Sequence, residues 1–140
     1  AFLTIRACLP SMTETDWGRV IAVSSIAGIR GLRGAPAYTA SKHGLVGLIR
    51  GLSEDFLGTP FTFNALCPGY VDTEIVSRNQ SSIAERTGMS AEDALAVMVK
   101  ANRHRRLLDA EEVAAAALWL CGPGSQSVNG QTIEIAGGQM

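Results

Sequence analysis

The sequence predicts an α/β fold in three layers, α/β/α: a doubly wound parallel sheet with helices on both faces. Three observations predict it. Residues 20–23 form a short, continuous apolar run behind Gly18, the pattern of a strand covered on both faces. Segments of helical periodicity alternate with strand-like runs from one end of the chain to the other. The resulting order, helix, strand, helix, strand, helix, strand, calls for right-handed crossovers and hence parallel strands. No internal repeat or linker divides the 140 residues, which read as one unit.

Each element follows from its own residues. Residues 1–12 read as the end of an amphipathic helix, with Phe2, Leu3, Ile5 and Leu9 apolar and Pro10 near its close. After the first strand comes a glycine-rich loop, residues 28–34, and then a helix over 38–57 that Gly58 and Pro60 stop. Residues 61–67 form the second strand, ended by Pro68 and Gly69. The stretch 73–100 is polar and mixed, with helical parts, and reads as a lid or substrate loop. Asp109, with Glu112 three residues on, makes a capping box for a helix that is apolar on nearly every side over 113–121. Residues 132–135 are the last strand, followed by Gly137 and Gly138.

Composition bounds the function. The chain is 46% hydrophobic and 18% charged with a formal net charge of -1, which fits an ordinary globular domain. At this length folding buries about two-thirds of the unfolded surface, enough for a core without metal or disulfide. Near-neutral charge argues against a nucleic-acid partner, since phosphate binding draws on clustered Lys and Arg. The one basic cluster, Arg103, His104, Arg105 and Arg106, reads as a solvated turn. Cys8, Cys67 and Cys121 match no metal or redox spacing, so a reducing, cytoplasmic setting is expected. Residues 113–133 lack charge, yet Gly122, Pro123 and Gly124 break them short of a membrane span. Residues 1–12 carry no signal-peptide cleavage pattern, and the missing Met at position 1 suggests a start other than the natural one.

The chemistry gathers between Ser24 and Thr73. Tyr38 and Lys42, four apart at the start of a helix, share one face about one turn apart. A free phenol titrates near ~10, so acid/base work near neutrality needs its anion stabilised, and a neighbouring ammonium has the right sign. Alone the pair is a weak signal. Ser24 and Ser25, however, stand at the carboxyl end of a predicted strand, where open α/β sheets bind ligands. Pro68 and Gly69 end the next strand at the same edge, with Val71 and Thr73 just beyond. His43 and His104 read as surface groups, Cys67 as an inert buried thiol, and Trp17 and Trp119 as packing residues. Asp72, Glu74, Glu92 and Asp93 read as solvated carboxylates.

Taken together, these segments resemble the second half of the short-chain dehydrogenase/reductase family. The resemblance rests on residues 18–25, on Tyr38-Thr39-Ala40-Ser41-Lys42, on residues 64–73 around Pro68 and Gly69, on Glu111-Glu112-Val113-Ala114, and on Asn129-Gly130-Gln131 through Gly138. It implies a Rossmann-like sheet and hydride transfer between NAD or NADP and a small-molecule carbonyl/alcohol pair. It further implies that Tyr38 is the proton donor/acceptor, that Ser25 bonds the substrate oxygen, and that Lys42 holds the nicotinamide ribose and lowers the tyrosine pKa. Pro68, Gly69, Val71 and Thr73 would line the nicotinamide and pyrophosphate, with Tyr38 and Lys42 also touching the cofactor. The 73–106 stretch is similar to that of ketoreductases acting on 3-oxoacyl or polyketide-like substrates.

Family members are nearly twice as long, and the resemblance leaves their cofactor-binding first half without a counterpart. No glycine-rich turn after a strand is found; Gly28, Gly31 and Gly34 fall between Ser25 and Tyr38. Residues 1–140 are therefore expected to be the catalytic half of a single domain, with a truncated, non-catalytic binding or assembly module as the alternative. Ala40, Gly44, Gly47 and Gly51 recur at helical spacing, a stripe that costs about 1 kcal/mol of helix stability per Gly. The family uses this helix as a subunit interface, which implies a homo-oligomer; packing within the chain would explain the stripe as well.

Overall fold

Three parallel strands hydrogen-bond in chain order, β1 (Gly18–Val23), β2 (Phe61–Pro68) and β3 (Thr132–Ile135), in the computed structural model, which describes residues 1–138. The helices are α1 (Phe2–Met12), α2 (Pro36–Asp55), α3 (Glu74–Thr87), α4 (Ala91–Ala101) and α5 (Ala110–Cys121). A single 3-10 turn, Ile26–Gly28, follows β1. The predicted alternation of elements and the parallel sheet both hold, with boundaries shifted by two residues or fewer.

β2 is the sheet's centre, and all eight of its residues are buried. Phe61, Phe63, Ala65 and Cys67 point to one face, against Val46 and Ile49 of α2, with Ile5, Leu9 and Met12 of α1 packed alongside. The Phe56 ring at the end of α2 meets Phe61 edge-on at 6.1 Å and Phe63 at 5.2 Å. On the opposite face α5 lies across β1 and β2 with Leu120 buried beneath it. Those two layers enclose a central strand and bury its polar Thr62 and Asn64 together with its apolar residues.

β1 departs from the expectation of burial on both faces. It pairs with β2 along one edge, and among the described residues no strand covers the other. Its middle residues are half-buried and Val23 is 56% exposed. Trp17 and Trp119 were also expected to pack, and both stay about half exposed. Trp17 precedes β1 where no layer reaches and instead lies 5.3 Å beneath the Arg19 guanidinium, while α5 turns Leu120 inward and leaves Trp119 outward. The apolar character of α5 on every side therefore exceeds what its one covered face uses.

The segment before β3 is fastened by side chains. Phe63 N–H donates to Asn129 Oδ1 at 2.8 Å, and Asn64 donates Nδ2 to the Val128 carbonyl at 2.7 Å while accepting Gln131 N–H at 3.0 Å. Buried amides so paired satisfy backbone groups that have no ladder partner there.

Residues 74–101 are two helices packed on each other, α3 and α4, as the helical parts of that stretch foretold. The basic cluster forms a turn, with Arg105 in the left-handed region at φ 59. It is more than a solvated turn: Arg106 reaches Glu112 through both guanidinium nitrogens, at 2.6 and 2.8 Å. Glu112 also accepts Asp109 N–H at 2.9 Å, as a capping box requires. The Arg106 pairing, then the Asp109 N–H, hold the Glu112 carboxyl at about 2, below its ordinary 4.5. The unfolded chain thus binds more protons as pH falls from about 4.5 to about 2, and the pair's contribution is lost across that window. Thermal melts of Glu112→Gln should therefore fall less steeply through this acid range than those of the parent.

Candidate active site

The C-terminal ends of β1 and β2 bring the predicted residues to one edge. Ser25 stands two residues past the end of β1 and caps the 3-10 turn, its Oγ accepting Ala27 N–H at 3.1 Å. It is 9% exposed, and its own hydroxyl proton is left to donate. Pro36 occupies the first turn of α2, where its fixed φ suits a helix start. One turn of α2 then carries Tyr38 and Lys42, as the spacing requires.

Two contacts moor that turn to the sheet. Ser24 Oγ donates to the Lys42 carbonyl at 3.2 Å, and Lys42 Nζ donates to the Val23 carbonyl at 3.3 Å. The approach is close enough that a Cβ on Gly28 would meet both Ser24 Oγ and the Lys42 carbonyl. Lys42 Nζ lies 5.7 Å from the centre of the Tyr38 ring, which is 47% exposed. A cation, a reachable phenol and a hydroxyl donor thus meet at one edge. That set can hold a carbonyl oxygen and exchange a proton with it.

Pro68 ends β2 fully covered, and Gly69 N–H bonds the Ile135 carbonyl at 2.9 Å. A side chain on Gly69 would run into the Asn102 amide. Val71 bridges to Leu108, and Thr73 stands exposed at the head of α3. These residues form a ledge that continues from the C-terminal end of β2, the strand paired with β1 ahead of Ser25.

Cys67 is enclosed behind this edge, where burial pushes its thiol up and the Ser25 backbone and Ser24 hydroxyl pull it back in part. Its position supports the reading of an inert thiol. His43 turns its Nδ1 to the Thr39 carbonyl at 3.0 Å on the exposed side of α2. Among the described residues no group of His, Cys, Asp and Glu could hold a metal ion. A surface cavity of about 580 Å³, lined by Trp17, Arg19, Pro60 and Cys121 among others, lies at the opposite, N-terminal edge of the sheet. No Tyr and Lys pair like Tyr38 and Lys42 lines it.

Sequence reasoning missed Asn102. Fully buried, it accepts Tyr70 N–H at 2.9 Å and donates Nδ2 to the carbonyls of Tyr70 at 2.8 Å and Arg106 at 2.7 Å. It clamps the ledge after Pro68 to the turn at 102–108. It also missed Tyr70 and Arg30. Burial pushes the Tyr70 phenol up, the Arg30 cation opposes that, and Tyr38 adds to it.

The family model described as Enoyl-(Acyl carrier protein) reductase matches residues 1–140. The chain belongs to the short-chain dehydrogenase/reductase family. It is 32% identical over 139 residues to a D-beta-hydroxybutyrate dehydrogenase of Rhizobium meliloti, covering 99% of this chain and 54% of that protein. A 3-oxoacyl-(acyl-carrier-protein) reductase of Pseudomonas aeruginosa is 32% identical over 133 residues, covering 95% and 49%. The solved structure of an F189W actinorhodin polyketide ketoreductase with NADPH superposes with a TM-score of 0.85 at 32% identity, covering 91% of this chain and 49% of that one. Levodione reductase superposes at 0.88 with 30% identity, covering 99% and 52%. The chain spans about half the length of these short-chain dehydrogenase/reductase relatives, and its partial Rossmann-like sheet is theirs. No helix among the described residues is long and apolar enough to cross a membrane.

Proposed function

We propose that the protein carrying this chain is an NAD(P)-dependent oxidoreductase that interconverts a carbonyl and a secondary alcohol, and that residues 1–140 are the catalytic half of its single domain. The observation that carries this reading is the tethered Lys42 ammonium 5.7 Å from the Tyr38 ring, beside Ser25 at the sheet edge. The names of the four relatives given above, each a dehydrogenase or reductase, point the same way.

In this reading Ser25 donates a hydrogen bond to the substrate oxygen, keeping its proton, and fixes the direction of that oxygen. Tyr38 gives a proton to that oxygen in reduction and takes it back in oxidation. Lys42 stabilises the phenolate left behind and holds the cofactor ribose. Pro68, Gly69, Val71 and Thr73, at the end of β2 beside the Asn102 clamp, would line the nicotinamide side of NAD or NADP. The cofactor, once bound, supplies or accepts the hydride. A 3-oxoacyl-type or polyketide-like substrate fits the relatives' names, and α3 with α4 serves as the lid over it.

A homo-oligomer belongs to the same proposal: a Cβ on Gly44, Gly47 or Gly51 would meet nothing within 4 Å, so packing within the chain leaves the stripe uncovered. A cytoplasmic setting, where the three unpaired cysteines persist as thiols, completes it.

Lys42→Ala tests the reading, since one group serves two tasks. Steady-state oxidation of NADH or NADPH with 3-oxo compounds should show kcat lowered and cofactor KM raised together, each by about tenfold or more. A rate defect with cofactor affinity intact would contradict the shared role.

A further inference from the structure

Resting on the active-site reading above, we infer that Ser24 is a positioning residue of the reaction: its buried hydroxyl seats the Lys42 turn of α2 on the end of β1 and so places the ammonium that serves Tyr38 and the cofactor. Ser24 is 5% exposed, and its backbone N–H donates to the Leu66 carbonyl at 2.7 Å, which carries the bonding between β1 and β2 one residue past the strand. The sheet thus fixes the residue. Its side chain turns to the helix, where Oγ donates to the Lys42 carbonyl at 3.2 Å. The pairing of Val23 with Leu66 also sets Ser24 against Cys67, but a thiol is a weak acceptor beside a carbonyl. A carbonyl oxygen has two lone pairs, so it takes this bond without giving up its helical one.

The neighbouring residue holds the other end of the same lysine. Lys42 Nζ donates to the Val23 carbonyl at 3.3 Å, so consecutive residues at the end of β1 grip Lys42 by its head and by its backbone. Among the described residues these are the hydrogen bonds that join the end of β1 to α2. A lysine carries its charge on a flexible four-carbon stem, and its attraction for a phenolate falls as the two separate. Fixing the backbone at 42 therefore sets how far the ammonium reaches towards the Tyr38 ring, whose centre is 5.7 Å away. A tight fit marks the same seat independently of the bond. A Cβ on Gly28 would come within 2.6 Å of Ser24 Oγ and 3.0 Å of both the Lys42 carbonyl and Val46 Cγ2. Only glycine at 28 lets the serine and the helix meet.

The test uses the protein carrying this chain, NADH or NADPH, and whichever of ethyl 3-oxobutyrate, 3-oxobutyrate and cyclohexanone the parent reduces fastest. Ser24→Ala should lower kcat about tenfold and raise cofactor KM about fivefold, with the KM for the carbonyl compound within about twofold of the parent, because Ser25 and not Lys42 receives that oxygen. In the Lys42→Ala background the same change should cost less than about threefold more, since the group it places is already gone. A serine that only stabilised the fold would act equally in both backgrounds. Gly28→Ala, whose methyl forces Ser24 and the Lys42 carbonyl apart, should reproduce the rise in cofactor KM, and it carries the test should Ser24→Ala lose its cooperative melt. Parent-like kinetics in Ser24→Ala, a rise in carbonyl KM in place of cofactor KM, or full additivity with Lys42→Ala would overturn the inference and leave the oxidoreductase reading standing. A parent that reduces none of the three compounds with either cofactor would sink that reading and the inference with it.

Discussion

Tyr38→Phe should lower turnover by about 100-fold or more while leaving the melting temperature of the protein nearly unchanged. The ring is about half exposed, and no hydrogen bond of its hydroxyl supports the fold among the described residues, so the substitution removes a proton donor and little else. The loss should appear in kcat and kcat/KM alike, because the proton is transferred only as the carbonyl reacts. Steady-state kinetics beside thermal melts check both halves of the statement; activity within a few-fold of the parent would remove Tyr38 from the mechanism.

Asn102→Ala should cost about 3 kcal/mol of stability and about 10 °C of melting temperature. The residue is fully buried and its amide makes three bonds to backbone groups at Tyr70 and Arg106. Truncation would leave the Tyr70 N–H and the Arg106 carbonyl without this partner inside the fold, and unmade buried hydrogen bonds carry the full cost of desolvation. Since the same amide positions the ledge after Pro68, cofactor KM should rise as well. Denaturant unfolding of the variant gives the stability loss directly; a change below about 1 kcal/mol would mean that the 102–108 turn holds its shape by other means.

The Tyr38 and Lys42 pair was legible because one helical turn is a local geometry, fixed by spacing alone once Pro36 and the glycine-rich loop mark where α2 begins. The ledge at Pro68 and Gly69 was legible for a similar reason, since those residues both end β2 and define its shape. Asn102 was not legible. Its role depends on the turn at 102–108 folding back against residue 70, across 32 positions, and a single Asn in a polar stretch carries no local mark of that. Arg30 escaped notice likewise, because an arginine in a glycine-rich loop reads as solvated, whereas the fold half-buries it and encloses its Nε. The burial of β1 was misjudged on other grounds. An apolar run reports a strand that can be covered, whereas coverage depends on which strands and helices flank it, and β1 is an outer strand here. The same holds for Trp17 and Trp119, whose hydrophobicity is local while their covering layers are not.

The helical pair over 74–101 joins these strands of argument. Arg86 of α3 touches the Gly34 carbonyl of the loop that carries Arg30, so movement of the pair would be felt at the loop leading to Tyr38. Ala94 and Met98 of α4 are buried, and α4 packs on α3.

Isotope transfer tests the central claim most directly. The protein carrying this chain is incubated with a ketone and with NADH or NADPH bearing deuterium at the reactive carbon of the dihydronicotinamide ring, and the alcohol is examined by mass spectrometry and NMR. The account predicts one deuterium on the carbinol carbon, none from solvent at that carbon, and incorporation that collapses in Tyr38→Phe. Carbinol hydrogen drawn from water, or deuterium transfer that continues at the parent rate without the Tyr38 hydroxyl, would contradict it.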